Sequence, residues 1–345
     1  MTTPIEQCHR ILPGVSRTFA LLIPELPAEL RAQVCCAYLL CRVADTVEDY
    51  IAAPTETRLE AFDAFCEAFE VVARTTDLRL FGALTGDWSL DEDHRRLLNE
   101  LGTVFAAFDT FPESDREIIT DCVREMVEGM RQAVARPANA EPAGLPDVTA
   151  LERYCYYVAG VVGRMLTRLY WRHVYGDAPG PSDELIRKGI DFGLGLQLTN
   201  VLKDQRADMG RGVSYMPNAL ATMLNVDADA IRAGTLPRPM REWLVGRALT
   251  WLDTAFEYTL AWPPTATGIR IFCLGALLMA VRTLAVVLSA PEDLDATEAP
   301  KITRQDVDEI MTRVRANAGN DAELHQWYTQ ERERLAGLLP GTTPG

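Results

Sequence analysis

The sequence predicts an all-α protein, and three observations carry that expectation. Long stretches run without Gly or Pro and with apolar residues at helical spacing, as from Ala28 to Tyr50. Helix start signals recur along the chain, among them Pro27, the Thr149/Glu152 pair and Ser182 followed by Asp183 and Glu184. Alternating strand patterns, Asn-Gly hairpins and internal repeats are missing. With 345 residues the chain can bury a sizeable core, and it reads as one domain over 1–345.

The elements follow in order. Pro27 opens the first long helix, with Ala28 to Tyr50 behind it. Helical regions are expected over 56–75, 91–108 and 113–134. The stretch 136–147 (RPANAEPAGLPD) carries three prolines and reads as a connection. Thr149 and Glu152 form a capping-box pattern for a helix running to about Tyr175, and 176–181 breaks the chain. Ser182 is the expected N-cap of a helix through about Asp208. After Pro217 come an amphipathic segment over 237–262 and an apolar helix from about Thr267. Residues 271–290 (IFCLGALLMAVRTLAVVLSA) are long enough to cross a bilayer, but Arg282 is costly there, so a buried core helix is expected. The tail LLPGTTPG reads as frayed.

Composition narrows the function. The formal net charge is −15, from 49 acidic and 34 basic residues, with no basic stripe, so no nucleic-acid partner is expected. An acidic protein can still bind an anionic substrate through a bridging multivalent cation. The first residues, MTTPIEQCHR, show no secretion signal. Eight cysteines lie mostly in helical patterns with no Cys-x-x-Cys pair, so they read as small buried hydrophobes in a reducing cytoplasm.

Two acidic clusters stand out. In Asp45-Thr-Val-Glu48-Asp49 the three carboxylates share one helical face, which suits Mg²⁺; the competing reading is a solvated acidic helix end. Tyr38, Arg42 and Asp45 line the same stripe, with Ser16-Arg17 as a further phosphate anchor upstream. In the second cluster Gln197, Asn200, Asp204 and Asp208 are spaced three, four and four apart on a helix that also carries Leu194, Leu198, Val201 and Leu202. A polar stripe on so apolar a helix is expensive to bury unless it binds something.

The segments SRTF (16–19), YLLCRVADTVED (38–49), YCYYVAGVVG (154–163) and QLTNVLKDQRAD (197–208) closely resemble squalene and phytoene synthases in order and spacing, over roughly residues 5–290. The resemblance implies an isoprenoid synthase helical bundle around a central apolar cavity, followed by a C-terminal helical tail over 300–345. It also implies two acidic helices holding Mg²⁺ and two isoprenoid diphosphates. Asp45, Glu48, Asp49, Asn200, Asp204 and Asp208 match metal positions. Ser16, Arg17, Tyr38, Arg42, Gln197, Asn200 and Lys203 match substrate positions. Tyr154 matches a tyrosine thought to steer the first carbocation step; the competing reading is a packing aromatic. Val158, Ala159 and Gly163 are small residues that leave room either for polyprenyl chains or for close helix packing.

Two departures stand in the second motif: Ala207 replaces a usual Glu, and Lys203 a usual Arg. Arg270 to Leu284 resembles squalene synthases more than phytoene synthases. The expected reaction is therefore head-to-head condensation of two farnesyl diphosphates, then reduction with NADPH. No Gly-x-Gly-x-x-Gly turn is present, but squalene synthases reduce without one. The alternatives are a phytoene-type condensation of geranylgeranyl diphosphate, a dehydro- or hydroxysqualene product without NADPH, and a non-catalytic binding or assembly protein. The polar stretch 316–334 is no membrane anchor, so a cytoplasmic enzyme with at most peripheral membrane contact is expected. The oligomeric state is left open.

Overall fold

The structure is a computed structural model and describes residues 2–135, 144–176, 178–232, 235–291 and 299–339. Among these residues there is no strand, only an isolated parallel bridge between Leu145 and Pro217. The helices are, in chain order, α1 (Pro4–Val15), α2 (Phe19–Leu22), α3 (Ala28–Asp49), α4 (Thr55–Glu67), α5 (Arg74–Thr85), α6 (Glu92–Asn99), α7 (Leu101–Phe108) and α8 (Glu113–Val134). They continue with α9 (Val148–Cys155), α10 (Val161–Tyr175), α11 (Asp183–Gly210), α12 (Asn218–Met223), α13 (Ala228–Arg232), α14 (Arg238–Ala261), α15 (Thr267–Ser289), α16 (Arg304–Asn317) and α17 (Asp321–Ala336). A 3₁₀ turn, Ile23–Glu25, follows α2, and a π turn, Tyr156–Gly160, joins α9 to α10.

Contacts divide the chain into two compact units: Met1–Pro137 with Met165–Gly180, and Ala138–Arg164 with Pro181–Gly345. In the first, α3 is the central element. Leu30, Val34, Ala37, Leu40, Val43 and Val47 are buried along it. An aromatic cluster fills the space beside α4, α5 and α7: Phe65, Phe69 and Phe108 surround Phe105 with ring centroids 5.1–6.3 Å away. Such edge and tilted pairs add to the area they bury. Buried Asp115 on α8 is satisfied by Gln33 Nε2 at 2.9 Å and Arg172 Nε at 2.6 Å.

In the second unit α11 packs along α14 and α15, with Leu244, Ala248, Leu252 and Ala255 buried on α14. The apolar α15 is a core helix: its most hydrophobic window is 78% buried. Arg282, the residue that argued against a membrane span, bonds Glu309 and Glu331 at 2.9 Å each. Fully buried Arg270 bonds Trp262 O at 2.9 Å, Ala318 O at 3.1 Å and Asp321 Oδ1 at 2.5 Å. Two arginines on α15 thus fasten α16 and α17 to it.

The structure corrects several boundaries. The helix expected over 56–75 stops at Glu67, and a separate helix begins at Arg74. The one expected over 91–108 breaks at Glu100, whose φ −97° and ψ 12° leave the helical region. Asp147, in extended backbone, caps α9 by accepting from the Ala150 N–H at 2.8 Å, so the Thr149/Glu152 capping box does not form. Ser182 does cap α11, accepting from the Leu185 N–H at 3.2 Å. Most of the proline-rich connection (136–143) and the tail from 340 lie outside the described residues. All eight cysteines are free, and seven are buried.

Candidate active site

The carboxylates of both acidic clusters sit in the last two turns of long helices, α3 and α11, and neither helix has a basic residue in its last turn. The C-terminal end of a helix carries partial negative charge, so carboxylates there are disfavoured unless a cation joins them.

On α3, the Asp45 side chain is 28% exposed, and Arg42 Nη1 reaches its Oδ2 at 3.4 Å. Burial pushes the Asp45 carboxyl up to about 6, with the Arg42 charge pulling against that and the Asp49 charge adding to it. Asp49 is exposed and Glu48 half-buried; the Glu48 carbonyl accepts from Arg58 Nη1 at 2.9 Å. Thr46 Oγ donates to the Arg42 carbonyl at 2.7 Å. Tyr38, one turn before Arg42, donates its hydroxyl to the Val15 carbonyl at 3.2 Å, and its ring lies 5.4 Å from that of Phe19. Burial raises its phenol, and contact with the Ser16 hydroxyl opposes the rise. Ser16 Oγ itself accepts from the Phe19 N–H at 3.0 Å. Ser16, Tyr38, Arg42 and Asp45 are therefore linked in the first unit, while Arg17 projects exposed beside them.

On α11, Lys203 Nζ lies 3.1 Å from Asp204 Oδ2 and 3.3 Å from Asn200 Oδ1. Arg211, just past the helix end, reaches Asp208 Oδ1 at 2.6 Å. Asp208 is buried, Asp204 and Gln197 are half-buried, and Asn200 and Ala207 are exposed. Leu198, Val201 and Leu202 are buried beside the stripe. Tyr154 on α9 stacks on Tyr215 with centroids 4.3 Å apart and planes 22° from parallel.

Val158 and Ala159 fall in the π turn, a feature frequent at functional sites, and both are half-buried. Gly163 is different. A Cβ there would stand 1.9 Å from the Gly189 carbonyl oxygen, and one at Gly193 would stand 2.2 Å from the Ala159 oxygen. The room Gly163 leaves is taken by the backbone of α11, so of its two readings the structure supplies close helix packing.

The donor set fits magnesium. Among the described residues no three His, Cys, Asp or Glu side chains converge into a ready-made metal cage. Mg²⁺ uses one or two carboxylates and takes its remaining oxygens from substrate phosphates and water, which Asp45/Asp49 and Asp204/Asp208 can accommodate.

Sequence reasoning missed three participants. His94 touches Arg42, Asp91 holds His94, and Tyr215 stacks on Tyr154. For the Asp91–His94 contact the signal was the Asp-x-x-His spacing at the head of α6, an N-cap pattern that also brings the two side chains together; the contact with Arg42 had no local signal.

A family model described as squalene/phytoene synthase matches residues 12–306. The squalene synthase of Schizosaccharomyces pombe is 28% identical over 330 residues, covering 95% of this chain and 68% of the relative. Squalene synthase BSS of Botryococcus braunii is 34% identical over 207 residues, 59% of this chain and 40% of that protein. Among solved structures, TcSQS in complex with a ligand aligns over 97% of this chain and 96% of its own, with TM-score 0.76 and 24% identity. The squalene synthase HpnC from Alicyclobacillus acidocaldarius aligns over 81% of this chain and 93% of its own, with TM-score 0.53 and 23% identity. At these identities the structural matches establish the fold.

Proposed function

Since this chain belongs to the squalene/phytoene synthase family of prenyltransferase-type enzymes, we propose that it condenses two farnesyl diphosphates head to head into presqualene diphosphate. Reduction of that product to squalene by NADPH completes the proposed reaction. One observation carries the reading: on both acidic helices a carboxylate suited to the cation stands at ion-pair distance from a basic side chain suited to the phosphate. The pairs are Asp45 with Arg42 at 3.4 Å, Asp204 with Lys203 at 3.1 Å and Asp208 with Arg211 at 2.6 Å. We read the chain as one isoprenoid synthase domain, because the family model runs unbroken through segments of both units.

Asp45 and Asp49, with Glu48 beside them, would hold Mg²⁺ for one diphosphate, and Asp204 and Asp208 with Asn200 would hold it for the other. When bound, the metal neutralises the diphosphate and stabilises charge on the departing group. Lys203 and Arg211 would exchange their carboxylate contacts for phosphate oxygens as substrate arrives, Arg42 would offer its unengaged donors, and Arg17, Ser16, Tyr38 and Gln197 would border the phosphates. Ionisation of an allylic diphosphate leaves a cation that water would quench. Buried Leu198, Val201 and Leu202 keep water from α11, and small Val158 and Ala159 admit the chain. The stacked Tyr154 and Tyr215 offer aromatic faces to the cation. The reductive half rests on family likeness, since the described residues hold no glycine-rich turn for a dinucleotide.

The test is to extract products from purified protein given Mg²⁺ and farnesyl diphosphate, with and without NADPH. Squalene formed only with NADPH supports the whole reaction. Presqualene diphosphate, dehydrosqualene or hydroxysqualene in both samples keeps the condensation and removes the reductase half. Turnover of geranylgeranyl diphosphate alone moves the assignment to phytoene synthesis. No conversion of either substrate removes the catalytic reading and leaves a binding or assembly role.

A further inference from the structure

At the head of α6, one carboxylate does two things. Asp91 Oδ1 accepts from the His94 backbone N–H at 3.0 Å, capping the helix, while its Oδ2 lies 2.7 Å from His94 Nδ1. These bonds, the backbone one first, hold the Asp91 carboxyl below the usual carboxylate range. One carboxylate thus holds His94 by both its backbone and its ring. The other ring nitrogen, Nε2, lies 2.8 Å from Arg42 Nη2. A guanidinium can only donate, so Nε2 must accept and Nδ1 must carry the ring proton toward Asp91.

The consequence falls on Arg42. Its Nη2 is committed to His94, its Nη1 reaches Asp45 only at 3.4 Å, and its buried Nε has no hydrogen-bond partner. An unopposed Arg–carboxylate pair closes to a bidentate contact of about 2.7–2.9 Å. This one is held open, and only two of the five guanidinium N–H groups are engaged.

We infer that His94 is a positioning residue for Arg42, holding the guanidinium off Asp45 so that a substrate diphosphate completes its coordination. The inference rests on the reading of the α3 face as a Mg²⁺–diphosphate site. Without His94, Arg42 collapses onto Asp45, which costs the site a phosphate donor and neutralises a metal ligand at once.

The experiment is calorimetric titration of the full chain with inorganic pyrophosphate in Mg²⁺, alongside steady-state kinetics on farnesyl diphosphate. His94→Ala is expected to weaken pyrophosphate binding about tenfold, the scale on which outer-sphere partners of metal sites act. KM should rise in parallel while kcat changes little. His94→Gln, whose amide oxygen can accept from Arg42, should recover most of the loss. If Arg42→Ala abolishes binding but His94→Ala binds as wild type, or if Gln rescues nothing, the role of His94 is overturned and the diphosphate site stands. If Arg42→Ala itself binds as wild type, the diphosphate reading of this face fails and the inference goes with it. Should His94→Ala not fold, nitrogen NMR of ¹⁵N-histidine-labelled wild type decides. A protonated Nδ1 and bare Nε2 on His94 support the inference, and the opposite tautomer overturns it.

Discussion

The two acidic helices solve one problem in different ways. On α3 the carboxylate nearest the arginine is partly desolvated, pushed up to about 6, and its arginine is shared with a histidine from another helix. On α11 each aspartate is answered by its own neighbour in sequence, Asp204 by Lys203 and Asp208 by Arg211. The first stripe depends on elements brought together by the fold. The second is nearly self-contained, and its charges were readable from spacing alone. The contact assembled from distant segments leaves Arg42 3.4 Å from Asp45, whereas the locally assembled pairs close to 3.1 and 2.6 Å.

The sharpest break in that comparison is loss of a carboxylate. Asp45→Asn and Asp204→Asn should each lower kcat/KM about 10²–10³-fold, the range for removing one group that stabilises transition-state charge. Only the α3 variant should leave an arginine, Arg42, without its carboxylate. Equal Mg²⁺ requirements in both variants, measured by titrating activity with the metal, would show that the stripes are not individually tuned.

A second break targets the support of α11. Gly163→Ala places a methyl group 1.9 Å from the Gly189 carbonyl, which is backbone and cannot step aside cheaply. We expect a loss of about 3 kcal/mol in stability by denaturant unfolding, the upper part of the usual overpacking range. A near-neutral result would mean that α10 and α11 can separate without cost.

The third is a pH effect confined to α3. The folded value of about 6 for Asp45 lies above the ordinary ~3.9 for an aspartate, so the fold favours its neutral form. That advantage is fully present below about pH 4 and disappears as pH rises through 6. Asp45→Asn, neutral throughout, should therefore be more stable than wild type in metal-free buffer at pH 7.5, by about 1–2 kcal/mol after allowing for solvent. The two should converge near pH 4. Thermal melts at both pH values check it, and a destabilised variant at pH 7.5 would contradict the raised carboxyl.

The smallest effect sharpens the second stripe. Ala207 is exposed, so Ala207→Glu should fold normally and add an oxygen ligand next to Asp208. Mg²⁺ affinity should tighten by about threefold, since charge count tunes such sites. No change would indicate that the alanine is already compensated, with Arg211 over Asp208 as the first place to look.

Much of this was present in the sequence because it depends on intervals along one helix. Asp45/Glu48/Asp49 and Gln197/Asn200/Asp204/Asp208 are helical repeats that need no tertiary information, and α8 and the start of α15 appear where apolar periodicity put them. What escaped depends on distance in space. His94 lies 52 positions from Arg42, and nothing local marks the two as neighbours. The π turn at Tyr156–Gly160 has no compositional signal distinct from ordinary helix. The gap between α4 and α5 carries no Gly or Pro; exposed Val71 and Val72 fall where an uninterrupted helix had been expected. Gly163 was ambiguous for the same reason, since a missing side chain looks alike whether a ligand or a backbone fills the space.

The fastening of α16 and α17 to α15 has a practical consequence for anyone trimming this chain. The family model ends at 306, inside the first turn of α16. Cutting there would remove Glu309, Glu331 and Asp321, carboxylates that Arg282 and Arg270 hold, and would uncover the apolar α15. A helix that now belongs to the interior would become a strip of oil, with Arg282 left only its 3.5 Å contact to Asp306 and Arg270 only backbone acceptors before it, primed to aggregate or to settle on lipid. Membrane binding by a shortened protein would therefore not by itself report where the full chain resides.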